Sequence, residues 1–536
     1  MRESRRRVLG AGSVLAGSLF LPQPWAWVWA QSNQEGTLKL LKAPKVSLVV
    51  GNSRYKDAPE LKNPANDAKG VGEALKAAGF EVNILLDTGR EQLIDAIRNY
   101  VRAMEQKKAV GLFYFAGHGV QLAWRNYMLP IDAVIDKIDD VGRQSVDIAR
   151  LMEGLAKAGN PMNVIILDAC RENPFGKDFR VEHKGLSQMD APTHTILAYA
   201  TSPGNVASDG DGANGLYTEN LLREMKVPEA KIEDVFKRVR LGVRRKTNGA
   251  QIPWESTSLE DDFWFLPPRE LKPASDAEKE KLFDEELALW GRIAAAKDAA
   301  PFEDYLRRFP SGKFSELAQL RLERALAAAG EKRIEIAKQE GNPYTQGSVR
   351  AVPAHKVGDA YVYREVDLET KAERSRFNDD VVAVGENEVR FSNGLVVDLL
   401  GNLIQVPNGT RYTPRQDEPL EYAIGRRWTT RFRFTNDKTG RSGGNEATYH
   451  IARKERIPVA GESFDCFVIE GHVVGTNDRG QRVETRTRKW KAPERIRRPL
   501  AIEARSVVII ERGPRLPPLE KVLSAERREL VSYKLT

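Results

Sequence analysis

The chain has 536 residues, too many for one hydrophobic core, so two to four domains are expected. It carries 83 lysines and arginines against 75 aspartates and glutamates, a net charge of +8, and the basic residues are interleaved with acids. This pattern excludes the concentrated basic patch of a nucleic-acid-binding protein. The two cysteines, Cys170 and Cys466, lie far apart in the sequence, which argues against a disulfide framework.

The first 30 residues predict an export signal. Arginines at 5–7 precede a mildly apolar run over 8–21, as in a twin-arginine signal, and a small residue, Ala30, stands where a signal peptidase cuts. The alternative is an uncleaved membrane anchor. The run is shorter than the roughly 20 residues of a membrane-spanning helix. We therefore expect a periplasmic or secreted mature protein without a transmembrane span.

Residues 44–268 alternate between two kinds of segment. Continuous apolar runs predict buried strands, and amphipathic segments between them predict helices. The strands are expected at 45–51, 81–87, 109–117, 162–169 and 194–201, and the helices at 66–80, 91–106, 147–159, 215–225 and 232–247. The expected buried face of the second helix is Leu93, Ile94, Ile97, Tyr100, Val101 and Met104. This alternation predicts an α/β domain, a mostly parallel sheet with helices on both faces.

The remaining residues predict two further units after a proline-rich linker at 268–276. Residues 276–335 predict a tetratricopeptide-like helical hairpin, which cannot bury its apolar face alone and must dock on a neighbour or a partner. From 344 to 536, polar and apolar residues alternate between turn residues, which predicts a mainly antiparallel β domain of unknown function. In this domain Cys466 is interpreted as a small buried residue, and His450 and His472, which lie on predicted strands, as structural residues rather than metal ligands.

Two predicted strands end in chemically reactive residues. His118 directly follows GLFYFAG, and Cys170 directly follows VIILDA. Ligands bind beyond the carboxyl ends of strands in an open parallel sheet, so neighbouring strands would present the imidazole and the sulfur at one edge. A thiolate needs a base or cationic partner near neutral pH, and adjacent backbone N–H groups suit a developing oxyanion. The pair predicts a Cys–His dyad for acyl transfer, although either motif alone would favour a structural role.

Residues 45–266 resemble the caspase-like cysteine peptidases (family C14), specifically the bacterial metacaspase type. The resemblance rests on SLVVGNSRY (47–55), LKNPANDA (61–68), FYFAGHGVQ (113–121), ILDACRENPF (166–175) and the later segments 198–222 and 251–259. It implies an endopeptidase with His118 as general base and acid and Cys170 as nucleophile. The backbone N–H groups of Gly119 and Cys170 would form the oxyanion hole. The chain departs from the pattern at Ala116, where metacaspases often have serine.

The same resemblance implies a substrate preference. Metacaspases line an acidic pocket with one aspartate two residues before the cysteine and another in an NDA-like segment, and Asp168 and Asp67 stand at these positions. Two carboxylates bind Arg or Lys rather than Asp, so cleavage after Arg or Lys is expected. The alternative for Asp67 is a charge that stabilises a helix N-terminus.

No cofactor is expected, and calcium is kept as a candidate activator. The segment 208–215 offers Asp209, Asp211 and Asn214 as oxygen ligands but lacks the later glutamate of an EF-hand, which favours an ordinary active-site loop. The polar segment 171–185 is interpreted as an exposed loop. Its candidate self-cleavage points are Lys177, Arg180 and Lys184.

These observations favour an exported endopeptidase acting on protein or peptide substrates. The helical and β units would select the substrate or bind a protein partner of the cell envelope. One alternative is a non-catalytic caspase-like scaffold whose β domain does the binding. Another is a different Cys–His hydrolase, such as an amidase. The intact pair of His118 and Cys170 favours an enzyme over the scaffold.

Overall fold

The structure is a computed structural model that describes most of the chain. The described residues are 35–170, 175, 185–208, 212–272, 274–331, 341–345, 347–351, 355–477, 480–512 and 517–536, with Cys170 described by its backbone alone. The expected export signal lies outside this range, as do the calcium candidates Asp209 and Asp211 and the self-cleavage candidates Lys177, Arg180 and Lys184. Within the described ranges, no helix combines the length and apolar character that a bilayer span requires.

A mostly parallel sheet forms the centre of the N-terminal half, as the sequence predicts. Its strand order is β2-β1-β3-β6-β7-β8, with β4 paired to β3 and β5 to β4. The strands are β1 Lys45–Gly51, β2 Glu81–Leu86, β3 Val110–Leu122, β4 Arg125–Met128, β5 Val146–Asp147, β6 Met162–Cys170, β7 Thr195–Tyr199 and β8 Trp254–Thr257. The path from β2 to β7 is parallel, and β8 closes one edge in the antiparallel sense.

Helices flank this sheet. They are α1 (35–42), α2 Pro64–Ala77, α3 Arg90–Lys107, α4 Ile138–Gln144, α5 Ile148–Ala158, α6 Leu216–Glu224 and α7 Ile232–Lys246. On α3 the predicted face is largely confirmed: Leu93, Ile97, Tyr100 and Met104 are buried, and the other two members are half-buried. The sequence missed α4 and β8 because both are short and lack a long apolar pattern.

Three helices connect the α/β domain to the C-terminal half. They are α8 Asp276–Ile293, α9 Ala300–Arg308 and α10 Ser315–Ala328. An aromatic core that includes Phe283, Trp290, Phe302 and Tyr305 holds them together, and Leu241 of α7 packs against it. The helical unit therefore buries its apolar face partly on the α/β domain.

The C-terminal half is antiparallel, as predicted, but the sequence did not reveal that it closes on itself. Twelve strands form a closed barrel, in which β22 pairs with β10. They are β10 Ala360–Asp367, β11 Glu373–Val384, β12 Glu388–Phe391, β13 Val396–Asp398, β14 Leu403–Gln405, β15 Arg411–Tyr412, β17 Arg427–Asn436, β18 Arg441–Val459, β19 Glu462–Thr476, β20 Arg482–Lys491, β21 Ala501–Ile510 and β22 Leu519–Lys534. Outside the barrel, β9 Val349–Arg350 pairs with β16 Glu421–Tyr422.

A buried histidine packs beside the barrel core. His355 is 6 % exposed, and its ring meets Phe391 edge to face at 5.6 Å between ring centroids. Burial, followed by the positive charges of Arg498, Lys491 and Arg497, lowers its pKa to about 3. The folded protein therefore holds this imidazole neutral.

His355 is expected to make folding sensitive to acid. Its pKa in the folded state lies below the ordinary value of about 6.5, so the unfolded chain binds the proton first as the pH falls. Stability should decrease between about pH 6.5 and pH 3, by up to about 1.4 kcal/mol per pH unit from this group. Urea unfolding at several pH values should show a shallower dependence for His355→Asn than for the wild type. Equal slopes would contradict a neutral buried imidazole.

Candidate active site

The strands that carry the two reactive residues are neighbours. β3 and β6 pair in parallel from Val110↔Met162 to Ala116↔Asp168, and after a shift Gly119 pairs with Cys170. Three steps along β3 thus match two along β6, which is the geometry of a bulge. His118 lies in this bulge, inside β3 rather than beyond its end as predicted, because β4 pairs with residues 119–122 and extends the strand. The shift brings the backbones of His118 and Cys170 to the same end of the sheet.

Two glycines make room for this bulge. A Cβ atom on Gly119 would lie 2.6 Å from the carbonyl oxygen of Ala169 on β6. A Cβ atom on Gly117 would lie 2.5 Å from the hydroxyl oxygen of Tyr55, and Gly117 has φ +157°. Both contacts are far closer than a real side chain allows. The pattern Gly-His-Gly is therefore required by the close packing around His118.

The imidazole of His118 is buried and oriented by two neighbours. The residue is 4 % exposed, and its Nε2 lies 2.8 Å from the carbonyl oxygen of Pro59. A carbonyl only accepts, so Nε2 carries the proton and Nδ1 carries the lone pair in the neutral ring. The backbone N–H of His118 donates to the hydroxyl of Tyr55 at 2.7 Å, and the two rings lie 4.6 Å apart. Sequence reasoning missed Pro59 and Tyr55, because a loop carbonyl and a distant hydroxyl have no signature beside the GHG motif.

Asp168 is buried two residues before Cys170 and is held by hydroxyl groups. It is 2 % exposed, and the hydroxyl of Thr218 donates to its Oδ2 at 2.9 Å. The hydroxyl of Tyr114 lies 2.6 Å from the same Thr218 oxygen. Since the one Thr218 proton goes to the carboxylate, Tyr114 donates to Thr218. This chain of hydroxyls fixes the carboxylate of Asp168 and was not foreseen from the sequence.

Asp67 lies in the first turn of α2 and reaches the start of α6. It is fully buried, and its Oδ1 accepts from the side-chain amide of Asn214 and the backbone N–H of Gly215, both at 2.9 Å. Asn214 thus uses its amide group on Asp67. Within the described part of the chain, no group of three or more His, Cys, Asp or Glu side chains is arranged to hold a metal ion.

The two carboxylates share a common neighbour. The pKa of Tyr114 is raised well above its ordinary value, first by burial and then by the negative charges of Asp168 and Asp67. The tertiary structure therefore brings two acids that are 101 positions apart to one buried phenol. Their joint field favours a positive group nearby.

Comparison with known proteins identifies a family for part of the chain. The sequence model of the C14 peptidase family, which describes the caspase domain, matches residues 44–264. Residues 44–264 form a caspase domain. The chain is also 27 % identical over 248 residues to the mucosa-associated lymphoid tissue lymphoma translocation protein 1 homolog of Mus musculus. The aligned region is 45 % of this chain and 29 % of the mouse protein.

The human protein of that name gives a similar result. It is 27 % identical over 203 residues, which is 37 % of this chain and 24 % of the human protein. The chain thus spans less than a third of the length of these curated relatives. The likeness supports the caspase domain and leaves the activity of the whole chain to be proposed.

The second cysteine lies outside the caspase domain. Cys466 is fully buried in β19, as expected for a small core residue. Burial, with smaller effects from Asp465 and Glu455, raises its pKa to about 12. A thiol in this environment remains protonated and unreactive at neutral pH.

The glycine beside His118 provides a test of the bulge in the caspase domain. Gly119→Ala should lower the free energy of unfolding by roughly 1–3 kcal/mol, because the added methyl group meets the Ala169 carbonyl. The matched control is Gly142→Ala in α4, where the nearest atom to the new Cβ is 3.9 Å away. The control should be neutral or stabilising by up to about 1 kcal/mol. Calorimetry of both variants checks this, and equal stabilities would contradict the packing described here.

Proposed function

We propose that this protein is a cysteine endopeptidase that uses His118 and Cys170 as a catalytic dyad. The observation that carries the proposal is the β3–β6 register, which places the two residues at one end of the sheet of a caspase domain. Open parallel sheets bind ligands beyond the carboxyl ends of their strands, and the parallel pairing of β3 with β6 ends here. The buried and oriented imidazole of His118 supplies the base that a cysteine nucleophile requires.

The proposed mechanism follows from the protonation state of His118. Nδ1 of the neutral ring accepts the proton of the Cys170 thiol, and the thiolate attacks the carbonyl carbon of the scissile peptide bond. The resulting oxyanion accepts hydrogen bonds from the backbone N–H groups of Gly119 and Cys170. The imidazolium then protonates the leaving amine, and a water molecule hydrolyses the thioester.

Pro59 has a defined part in this cycle. Its carbonyl oxygen accepts from Nε2 of His118 at 2.8 Å, so it stabilises the imidazolium and fixes the ring without an acidic side chain. A carbonyl carries less negative charge than a carboxylate, so it raises the basicity of the ring by less. This arrangement explains how the dyad would work without a third acid.

The proposed specificity is for Arg or Lys before the cut. Asp67 and Asp168 both lie near Tyr114 and are held by donors from α6 and the turn before it. A guanidinium or ammonium group entering beside them would be attracted by two negative charges, whereas an aspartate side chain would be repelled. We further propose that the protein is exported, with residues 1–30 as its signal, and that calcium acts at most as an activator.

Peptide hydrolysis tests the dyad. Fluorogenic peptides ending in Arg, Lys or Asp would be incubated with the chain from Gln31 onward, with calcium or with a chelator. We expect cleavage after Arg or Lys and a loss of at least about 10³-fold in Cys170→Ala, because removal of a nucleophile abolishes acyl transfer. A folded wild type that cleaves no peptide in either condition would favour the non-catalytic scaffold.

The acidic residues are tested separately. Asp168→Asn should lower kcat/KM for Arg peptides by roughly 10–100-fold, because one charge that binds the substrate cation is lost. Thr218→Val, which keeps the charge and removes one donor to the carboxylate, should have a smaller effect in the same direction. The control is Asp139→Asn in α4, which removes the same charge from an exposed side chain. Cleavage after Asp by the wild type, or no change in Asp168→Asn, would exclude these pocket roles.

A further inference from the structure

A short segment between the helical unit and the barrel packs against the caspase domain. This segment, residues 341–345, lies between α10 and β9 in the sequence, and we call it the strap. Its Tyr344 packs against the hydrophobic core of the caspase domain. Soon after the strap, β9 pairs with β16, and β16 directly precedes strand β17 of the barrel. The strap therefore has the caspase domain on one side and the entrance to the barrel on the other.

The loop that precedes β7 packs beside the candidate active site. It consists of residues 186–190, which have no regular secondary structure. Leu186 is buried, and a Cβ atom on Gly119 would lie 3.2 Å from its Cδ2. The N–H of Ser187 donates to the side-chain oxygen of Asn126 at 2.8 Å, and the side-chain amide of Asn126 donates to the Ser187 carbonyl at 2.9 Å. Since Asn126 lies in β4, which pairs with the part of β3 that begins at the bulge, this loop contacts the surroundings of Gly119 on two sides.

The strap holds this loop by three hydrogen bonds. The side-chain amide of Asn342 donates to the carbonyl oxygen of Gln188 at 2.8 Å. The N–H of Asp190 donates to the carbonyl oxygen of Tyr344 at 3.0 Å, and the hydroxyl of Thr345 donates to Oδ1 of Asp190 at 2.6 Å. Gln188 is buried, and buried backbone carbonyls require a partner. The strap supplies that partner to a loop without a ladder of its own.

The strap also contacts β4 directly. The guanidinium of Arg125 in β4 lies over the ring of Tyr344, 5.7 Å from its centroid. An aromatic ring attracts a cation over its face. The same guanidinium forms an ion pair with Asp147 of β5 at 2.7 Å, so its position is fixed from two directions. The strap thus supports both elements that surround Gly119, the 186–190 loop and β4.

We propose that Asn342, Tyr344 and Thr345 are positioning residues of the peptidase. They hold the 186–190 loop and β4, and these in turn hold the backbone of Gly119, whose N–H is proposed to bind the oxyanion. The inference rests on the proposed function, to which the oxyanion hole belongs. Such donors act only when they are placed to within a few tenths of an ångström, and a displacement of about 1 Å can reduce the rate by about 10²-fold.

Two variants at one position give a matched test. Thr345→Val removes the hydroxyl that donates to Asp190 and keeps nearly the same shape, whereas Thr345→Ser keeps the hydroxyl. Asn342→Asp is an independent second variant, because it places a carboxylate oxygen where the amide donates to the Gln188 carbonyl. Steady-state cleavage of an Arg peptide by the chain from residue 31 onward gives kcat and KM separately. Calorimetry measures the stability of each variant.

Thr345→Val and Asn342→Asp should lower kcat by roughly 3–30-fold and change KM by less than about 2-fold, because the oxyanion exists only in the transition state. Thr345→Ser should keep most of the wild-type kcat. A strap that only stabilises the fold would lower the unfolding temperature and leave kcat unchanged. Equal kcat values for Thr345→Val and Thr345→Ser would therefore overturn the proposal. If Asn342→Asp does not fold, the two Thr345 variants decide.

Hydrogen exchange separates this proposal from the proposed function. In a Cys170→Ala background, Thr345→Val should exchange faster than Thr345→Ser at residues 186–190 and also at residues 119–122. A wild-type chain that cleaves no peptide would contradict the proposed function, and the exchange at 119–122 would still decide whether the strap positions Gly119. Faster exchange confined to residues 186–190 would overturn the proposal in either case.

Discussion

The pairing of β3 with β6 is the constraint on which the candidate active site depends. Up to Ala116 and Asp168 the two strands advance together, and then one extra residue of β3 is taken up before Gly119 meets Cys170. That extra step places His118 beside the end of β6. It is sterically possible only because glycine stands on both sides of the histidine, one against the Ala169 carbonyl and the other against the Tyr55 hydroxyl. The reactive pair is thus a consequence of backbone packing as much as of side-chain chemistry.

The second constraint is the burial of two carboxylates. A buried carboxylate needs donors, and here both acids obtain them from the same short region, the turn before α6 and the first turn of α6. Asn214 and Gly215 serve Asp67, and Thr218 serves Asp168. The beginning of α6 therefore sets the spacing of the two acids, and through it the shape of the proposed pocket for a basic side chain.

The helical unit packs directly against the caspase domain, and the barrel contacts the helical unit. The aromatic core of α8–α10 extends onto α7, and Arg244 of α7 donates to Glu331, just beyond α10, at 3.0 Å. Lys313, between α9 and α10, donates to the Thr429 hydroxyl of the barrel at 2.9 Å. These contacts leave a cleft along β8 instead of a continuous interface. The helical unit therefore contacts both the caspase domain and the barrel.

The sequence by itself determined much of the caspase domain. A short apolar run such as KVSLVVG predicts a buried strand, and the spacing of Leu93, Ile97, Tyr100 and Met104 predicts one buried helix face, since both patterns follow from local geometry. Two further apolar runs, GLFYFAG and VIILDA, lead directly into His118 and Cys170, so the reactive pair was visible in the sequence. The antiparallel character of residues 344–536 also followed from local alternation.

Only the tertiary structure decided which distant groups meet. The Pro59 carbonyl on His118, the Thr218 hydroxyl on Asp168 and the closure of β22 on β10 join positions from 50 to 174 residues apart, and no local pattern records them. Closure of a barrel depends on the accumulated twist and stagger of all its strands, and the sequence of any one strand does not carry that information.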